Sequence, residues 1–471
     1  MIASGPVPDT GRADGARIPA LGARGEGHRF VIYGDACAGE PGGRHEATFA
    51  RVNAVVSRFD PAPEFIVFPG DEIIGLTRDE AELRAQWRHW FEVEMAWLDR
   101  ARIPIFHTTA NHTAYDPMSE RVFAEVMGHL PRNGPPGQEG LTYFVRRGDL
   151  LMVFVHTLWS GLGGEGHVET EWLDSILRAH VDARYKLVVG HHPVFPVNGF
   201  QGPFQREIGP PHAEEFWRVL VRHNVLAYLC SHILAFDVQV HDGVLQVTSA
   251  GAGTAHRMPE GVEYLHAVQA ALDADEFRIR VIDDGGAVRE ALSWPPILPA
   301  ARGWRRMSSE TETETRVATG PLDASLRAWR FSGRTPAGGG AAQTLVEGSG
   351  AGSAMPSVWI GLAGPDQRLV VMLGSAPGRS PHTWFGPSLP PGAAFDIQVA
   401  AHGAMGPGGL LWRWNDETPW SSLHGASAQG IERGQPVSAW TVGHSALGPQ
   451  DRPFMGAELR VWTAHAAQGE I

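Results

Sequence analysis

The chain has 471 residues, more than one ordinary core accommodates, so two domains are expected. With 43% hydrophobic and 19% charged residues it is not an intrinsically disordered chain. The formal net charge of −13 disfavours a nucleic-acid backbone or an anionic membrane as partner, and no apolar run is long enough to span a bilayer. Only two cysteines occur, Cys37 and Cys230, too few for a disulfide framework, and they suit a reducing compartment. The N-terminal stretch lacks a continuous apolar segment of the secretory kind, so a cytoplasmic location is expected.

Residues 1–27, rich in Gly, Ala, Pro and Arg, read as a mobile tail. RFVIYGD is a buried strand ending at Asp35, residues 44–59 are helical, and EFIVFPGD is a strand ending at Asp71. Residues 78–101 carry apolar positions at helical spacing, with Trp87, Trp90 and Trp97 on the core side. IPIFHTTANH is another strand, and TYFVRRGDLLMVFVHT a hairpin. TEWLDSILRAHV is helical, YKLVVGHHP a strand and HAEEFWRVLVRHN a helix. VLAYLCSH, VQVHDGVLQVTSAG and EFRIRVID are strands. This alternation predicts a layered α/β (α+β) fold with helices covering sheet faces. Several strands end directly in Asp, Asn or His, and ligands of open α/β sheets bind beyond the carboxyl ends of strands.

Composition shifts near residue 295, where SWPPILPAARGW carries three prolines, and residues 294–314 read as a linker that runs into the polar, solvated stretch SSETETETR. Residues 315–471 hold many Gly, Pro and Trp and short strand-like runs, which predicts an all-β sandwich, with AGGGAAQTLVEGSGAGSA as flexible loop material. Trp412, Trp414 and Trp462 are expected in its core.

Five blocks carry the chemistry: GDACAG at Asp35, PGDEI at Asp71, TANHT at Asn111 and His112, VVGHHP at His191, and LCSHILAF at His232. Their order resembles that of the calcineurin-like metallophosphoesterases, which include the purple acid phosphatases: Asp-X-His, Gly-Asp, Gly-Asn-His, Gly-His, then Gly-His-X-His. The resemblance covers residues 28–293 and implies a β-sandwich flanked by helices, with a centre of two metals bridged by the Gly-Asp carboxylate, here Asp71. It also implies that one metal is held by Asp71, Asn111, His191 and His232, a donor set suited to Zn, Mn or Fe.

The other half of the centre departs from the family. Asp35 is present, but the next ligand position is Cys37 and the last is Leu234, which has no donor atom. The tyrosine of purple acid phosphatases is replaced by Ile74. Three readings stay open: one metal and a working hydrolase, a second and softer site using Asp35 and Cys37, or a decayed centre that only binds a ligand. The cofactor expected is one divalent transition metal per chain, or two.

By the same resemblance, His112 protonates the leaving group of a phosphoester attacked by metal-bound hydroxide. Thr113 stands where the family has an acid that orients this histidine, and Asp116 is the nearest substitute. His192 is expected behind the ligands and Arg44 near the substrate phosphate. The function implied is a phosphatase or phosphodiesterase acting on a small-molecule phosphoester. The competing expectation is a catalytically decayed scaffold. The C-terminal half resembles concanavalin-A-like, laminin-G-type jelly rolls, and so carries a glycan or protein partner as an expectation.

Overall fold

The computed structural model describes residues 15–159, 166–200, 208–209, 212–254, 263–273, 276–295, 303–308, 310–316, 325–352, 355–374, 381–402, 409–427, 436–445 and 452–467. Residues 1–14 of the expected tail and 296–302 and 309 of the expected linker lie outside them.

The N-terminal part holds strands β1 (Ile18–Pro19), β2 (His28–Ile32), β3 (Phe59–Asp60), β4 (Phe65–Phe68), β5 (Ile105–His107), β6 (Tyr143–Arg147) and β7 (Leu150–Phe154). It continues with β8 (Tyr185–Val189), β9 (Ala227–Cys230), β10 (Phe236–His241), β11 (Val244–Ser249), β12 (His266–Asp273), β13 (Glu276–Asp283) and β14 (Val288–Trp294). Its α-helices are α1 (Glu46–Val56), α2 (Glu80–His89), α3 (Pro117–Val126), α4 (Thr170–Ala179) and α5 (His212–Arg222).

Two six-stranded sheets form, in the orders β14-β13-β12-β2-β4-β5 and β10-β11-β9-β8-β7-β6. β2, β4 and β5 run parallel in the first sheet, and β7, β8, β9 and β11 run parallel in the second. Strand side chains alternate between faces, and the cores record it. Leu150, Met152, Phe154, Leu187 and Val189 join the core shared with Phe30, Phe65 and Val67 of the other sheet. Leu151, Val153 and Val188 instead pack with Leu173 and Leu177 of α4 and Phe216 of α5. Strands buried on both faces read as continuous apolar runs, which is why they stood out in the sequence.

Some segments differ from expectation. Residues 15–27 are not a free tail: β1 pairs with β3, Leu21 is buried, and Arg24 N–H donates to Asp273 at 2.8 Å. The helix expected over 78–101 is α-helical only to His89 and continues as a π-helical turn over Trp90–Glu94. Trp87 and Trp90 are buried as expected and Trp97 packs against the same core.

Beyond residue 303, one six-stranded sheet orders Arg305–Arg306, Ala457–Ala467, Ser325–Arg334, Ala394–His402, Leu410–Trp414 and Ser421–Ser422. A seven-stranded sheet orders Glu310–Arg316, Pro436–Val442, Gly340–Ser349, Val358–Gly364, Arg368–Leu373, His382–Ser388 and His424–Gly425. All their pairings are antiparallel, and one core, including Phe331, Ile397, Leu345 and Ile360, lies between them. Trp412 and Trp414 pack against that core, half-buried. Two corrections concern polar or glycine-rich runs. Glu310–Arg316, expected as solvated linker, is a strand paired with Pro436–Val442. Gly340–Ser349, expected as loop, is a strand whose Leu345 and Val346 are buried.

Candidate metal centre

The carboxyl ends of parallel strands from both sheets meet at one place. β2 leads into Asp35 and Cys37, β4 into Asp71, β5 into Asn111 and His112, β8 into His191 and His192, and β9 into His232. The chain bends sharply there. Asp35, Cys37, Asp71 and His232 all have positive φ, at 61°, 42°, 56° and 65°. Left-handed backbone is uncommon outside glycine and gathers at functional sites. Gly70 is required beside Asp71, because a Cβ there would lie 2.8 Å from His191 Nδ1 and 2.6 Å from the Ala110 side chain.

Three side chains gather around His191 Nε2. His191 Nε2 lies 3.0 Å from Asn111 Oδ1, 3.1 Å from His232 Nδ1 and 3.3 Å from Asp71 Oδ2. His232 Nδ1 lies 2.9 Å from Asn111 Oδ1. The three spacings to His191 Nε2 lie near the edge of about 3.3 Å of a tetrahedral shell with bonds of about 2.0–2.1 Å. The tautomer of His191 follows from its other nitrogen: Nδ1 donates to the Pro69 carbonyl at 2.8 Å, which leaves the Nε2 lone pair aimed at the cluster. Asp71 and His191 are buried, while Asn111, His112 and His232 are partly exposed, so the cluster is open from one side.

Electrostatics report the same convergence. Burial lowers the His191 pKa, but Asp71, Asp35 and the Pro69 carbonyl outweigh it and raise it to about 9. Burial raises the Asp71 pKa, and the surrounding His112, His191 and His232 bring it well below the usual carboxylate range.

The other half is arranged differently. Asp35 is raised to about 6 by burial and by Asp71, against the pull of His191 and of its hydrogen bonds. Its Oδ2 accepts from the Ser231 hydroxyl and from His232 N–H, the latter at 2.8 Å. Burial, Asp71 and Asp35 all raise the Cys37 thiol well above its ordinary value. Donors of Asp35, Asp71 and His191 lie within 4.8 Å of one another, as do donors of Cys37, Asp71 and His112, while Leu234 offers no donor atom.

His112 sits over Asp71. Its Nδ1 donates to the Ile74 carbonyl at 2.6 Å, its backbone N–H donates to Asp71 Oδ1 at 3.1 Å, and its Nε2 lies 3.9 Å from Asp71 Oδ2. Gly75 makes room for this, since a Cβ there would come within 1.6 Å of the His112 carbonyl oxygen. Asp116 does not orient His112. It caps α3, accepting from Ser119 N–H at 2.8 Å. His192 stays close to the cluster, its ring 4.4 Å from that of His232, with Nδ1 and the Thr157 hydroxyl 2.7 Å apart. A ring nitrogen of His192 lies within 4.8 Å of donors on His191 and His232, nearer than its expected place behind the ligands. Arg44 is exposed on the loop before α1.

The sequence motifs assign no role to two supporting residues. Glu72 and His107 are fully buried beneath the Asp71 turn, 2.8 Å apart. Burial raises the Glu72 carboxyl well above its ordinary value, while burial and then Arg100 lower His107 to about 3. Both directions favour a neutral pair joined by one hydrogen bond. The cue was Glu72 beside Asp71, with a lone histidine ending β5.

No family model and no curated protein matches the chain. Solved structures similar to it include a purple acid phosphatase of yellow lupin (Lupinus luteus), 12% identical, over 57% of this chain and 54% of that one, with a TM-score of 0.43. GAP50, the anchor in the inner membrane complex of Plasmodium, is 15% identical over 56% and 88%, with a TM-score of 0.41. A putative 5'-nucleotidase of Staphylococcus aureus is 13% identical over 63% and 61%, with a TM-score of 0.35. The chain thus matches about half the length of the lupin phosphatase. Among the described residues, no helix is long and apolar enough to cross a membrane.

Proposed function

We propose that the protein is a metal-dependent phosphoester hydrolase with a single cation site formed by Asp71, Asn111, His191 and His232. The observation that carries this is the approach of Asn111, His232 and Asp71 donors to His191 Nε2 at 3.0–3.3 Å, with the His191 lone pair fixed toward them by Pro69. Two imidazoles, one carboxylate and one amide oxygen suit Zn, Mn or Fe.

A divalent cation bound there acidifies water and neutralises charge on phosphoryl oxygens. The chain's own residues do the rest. Asp71 anchors the set and holds His112 through its backbone N–H. His112 keeps its Nδ1 proton on Ile74 and holds Nε2 3.9 Å from Asp71 Oδ2, in position to pass a proton to a departing alkoxide. The buried Glu72–His107 pair holds the turn from below without adding net charge.

A ligand-binding role without turnover is the competing reading. It is favoured by Leu234 and by the donors already occupying Asp35 Oδ2. We also read the C-terminal sheet pair as a concanavalin-A-like sandwich, on the single core between its antiparallel sheets.

Purified protein loaded with Zn²⁺ or Mn²⁺ is to be assayed on p-nitrophenyl phosphate and bis(p-nitrophenyl) phosphate, beside Asp71→Asn. Metal-dependent turnover that Asp71→Asn abolishes supports the hydrolase. Bound metal with no turnover of any phosphoester supports the ligand-binding reading.

A further inference from the structure

The loop that follows the two adjacent histidines, Pro193–Phe200, is tied down along its whole length. Gln246 Oε1 accepts from Val194 and Phe195 N–H at 2.8 and 3.0 Å, and its Nε2 donates to the Phe195 carbonyl at 2.8 Å. Gln239 Nε2 donates to the Pro196 carbonyl at 2.7 Å. Val197 packs with Ile233 and Ala235, which directly follow His232. The two imidazole-bearing loops therefore meet at Val197 and Ile233.

Asn198, the next residue, reaches out of this part of the molecule. It is 2% exposed. Its Nδ2 donates to the Leu423 carbonyl at 3.0 Å and its Oδ1 accepts from Gly425 N–H at 2.7 Å. Both ends of one buried amide are thus satisfied by backbone more than two hundred residues away, at the edge strands Ser421–Ser422 and His424–Gly425. A buried amide robbed of such partners carries a large desolvation penalty, so the C-terminal strands add to what holds the loop in place.

We infer that the C-terminal β-structure is a positioning element of the metal centre, with Asn198 as the positioning residue that clamps the joint between the His191 and His232 loops. The inference rests on the hydrolase reading only in taking those two imidazoles as ligands. It gives the C-terminal strands a part in the chemistry that needs no partner of their own. Other bonds across the same boundary provide the control. Val240 N–H donates to Ser422 Oγ and Asp242 N–H to Ser421 Oγ, each at 2.9 Å, and both anchor the far end of β10, away from His232.

The test uses the full chain titrated with Co²⁺, whose visible absorption reports the ligand set. Four proteins are compared: the unaltered chain, Asn198→Ala, Gly425→Ala and the double variant Ser421→Ala/Ser422→Ala. We expect Asn198→Ala to bind Co²⁺ at least ten-fold more weakly, with an altered visible spectrum. The serine double variant is expected to lose melting temperature yet bind like the unaltered chain. Gly425→Ala would place a Cβ 3.3 Å from Asn198 Oδ1, so it should shift the spectrum in the same direction but less, and it serves if Asn198→Ala does not fold. Unchanged affinity and spectrum in Asn198→Ala, or in Gly425→Ala if that variant has to serve, overturns the inference and leaves the hydrolase reading standing. So does an equal loss in the serine variant. An unaltered chain that takes up no Co²⁺ overturns both.

Discussion

His191 presents Nε2 to Asp71 Oδ2 at 3.3 Å while its Nδ1 is already bonded to the Pro69 carbonyl at 2.8 Å. Without a cation, a proton on Nε2 is what reconciles the imidazole with the oxygen atoms around it, and its pKa rises to about 9. A metal has to displace that proton. We therefore expect about one proton released per Zn²⁺ bound at pH 7, with affinity rising as pH increases toward 9. Calorimetric titration in buffers of different ionisation enthalpy measures the release. The metal-free protein should show the opposite trend. A raised imidazole pKa contributes stability that is complete below about 6.5 and lost as pH rises through about 9.

Cys37→Ala should leave metal content and hydrolysis nearly unchanged, within about three-fold. The thiol is buried between carboxylates that keep it protonated, and its replacement removes no donor from the proposed set. Elemental analysis of the variant checks this, and a fall in metal per chain would make Cys37 a ligand.

Replacement of His112 should depend on the leaving group. In His112→Ala, turnover of an alkyl phosphoester should fall by about 10²–10⁴-fold, while p-nitrophenyl esters, whose leaving group needs no proton, should lose much less. Metal content should stay the same, because His112 lies outside the four donors. Steady-state kinetics on matched alkyl and aryl substrates provide the comparison.

Asp237 yields a stability prediction away from the centre. Burial raises its carboxyl to about 6, against the hydrogen bonds from Gln239 and the Asn198 N–H. The folded chain then holds this proton more tightly than the unfolded chain does. Stability should decline as pH rises from about 4 to about 6 and change little from this source above that. Asp237→Asn removes the decline, by at most about 3 kcal/mol. Urea unfolding of both proteins at pH 4.5 and 7.5 measures the difference.

Much of this was legible in the sequence because buried parallel strands are continuous apolar runs and their ends carry polar side chains. Asp71, Asn111, His191 and His232 come together as those strand ends implied. What escaped had weaker local signals. β12 is alanine-rich and of low strand propensity, yet it is buried between β2 and β13, where small side chains suit a crowded sheet centre. α3 was overlooked although Asp116 and Pro117 form a helix start, because Asp116 was weighed as a partner of His112 instead. Glu310–Arg316 alternates Glu and Thr in strand fashion, but its charge masks that period as a signal. The Asn198 clamp joins residues more than two hundred positions apart, and no local pattern announces such a bond.

The number of metal ions per chain tests the single-site account most directly. Elemental analysis of the purified protein after Zn²⁺ loading and removal of free metal should give one ion per chain, and none in Asp71→Asn. Two ions would mean that Asp35 and Cys37 complete a second site. None in the unaltered chain would remove the centre altogether.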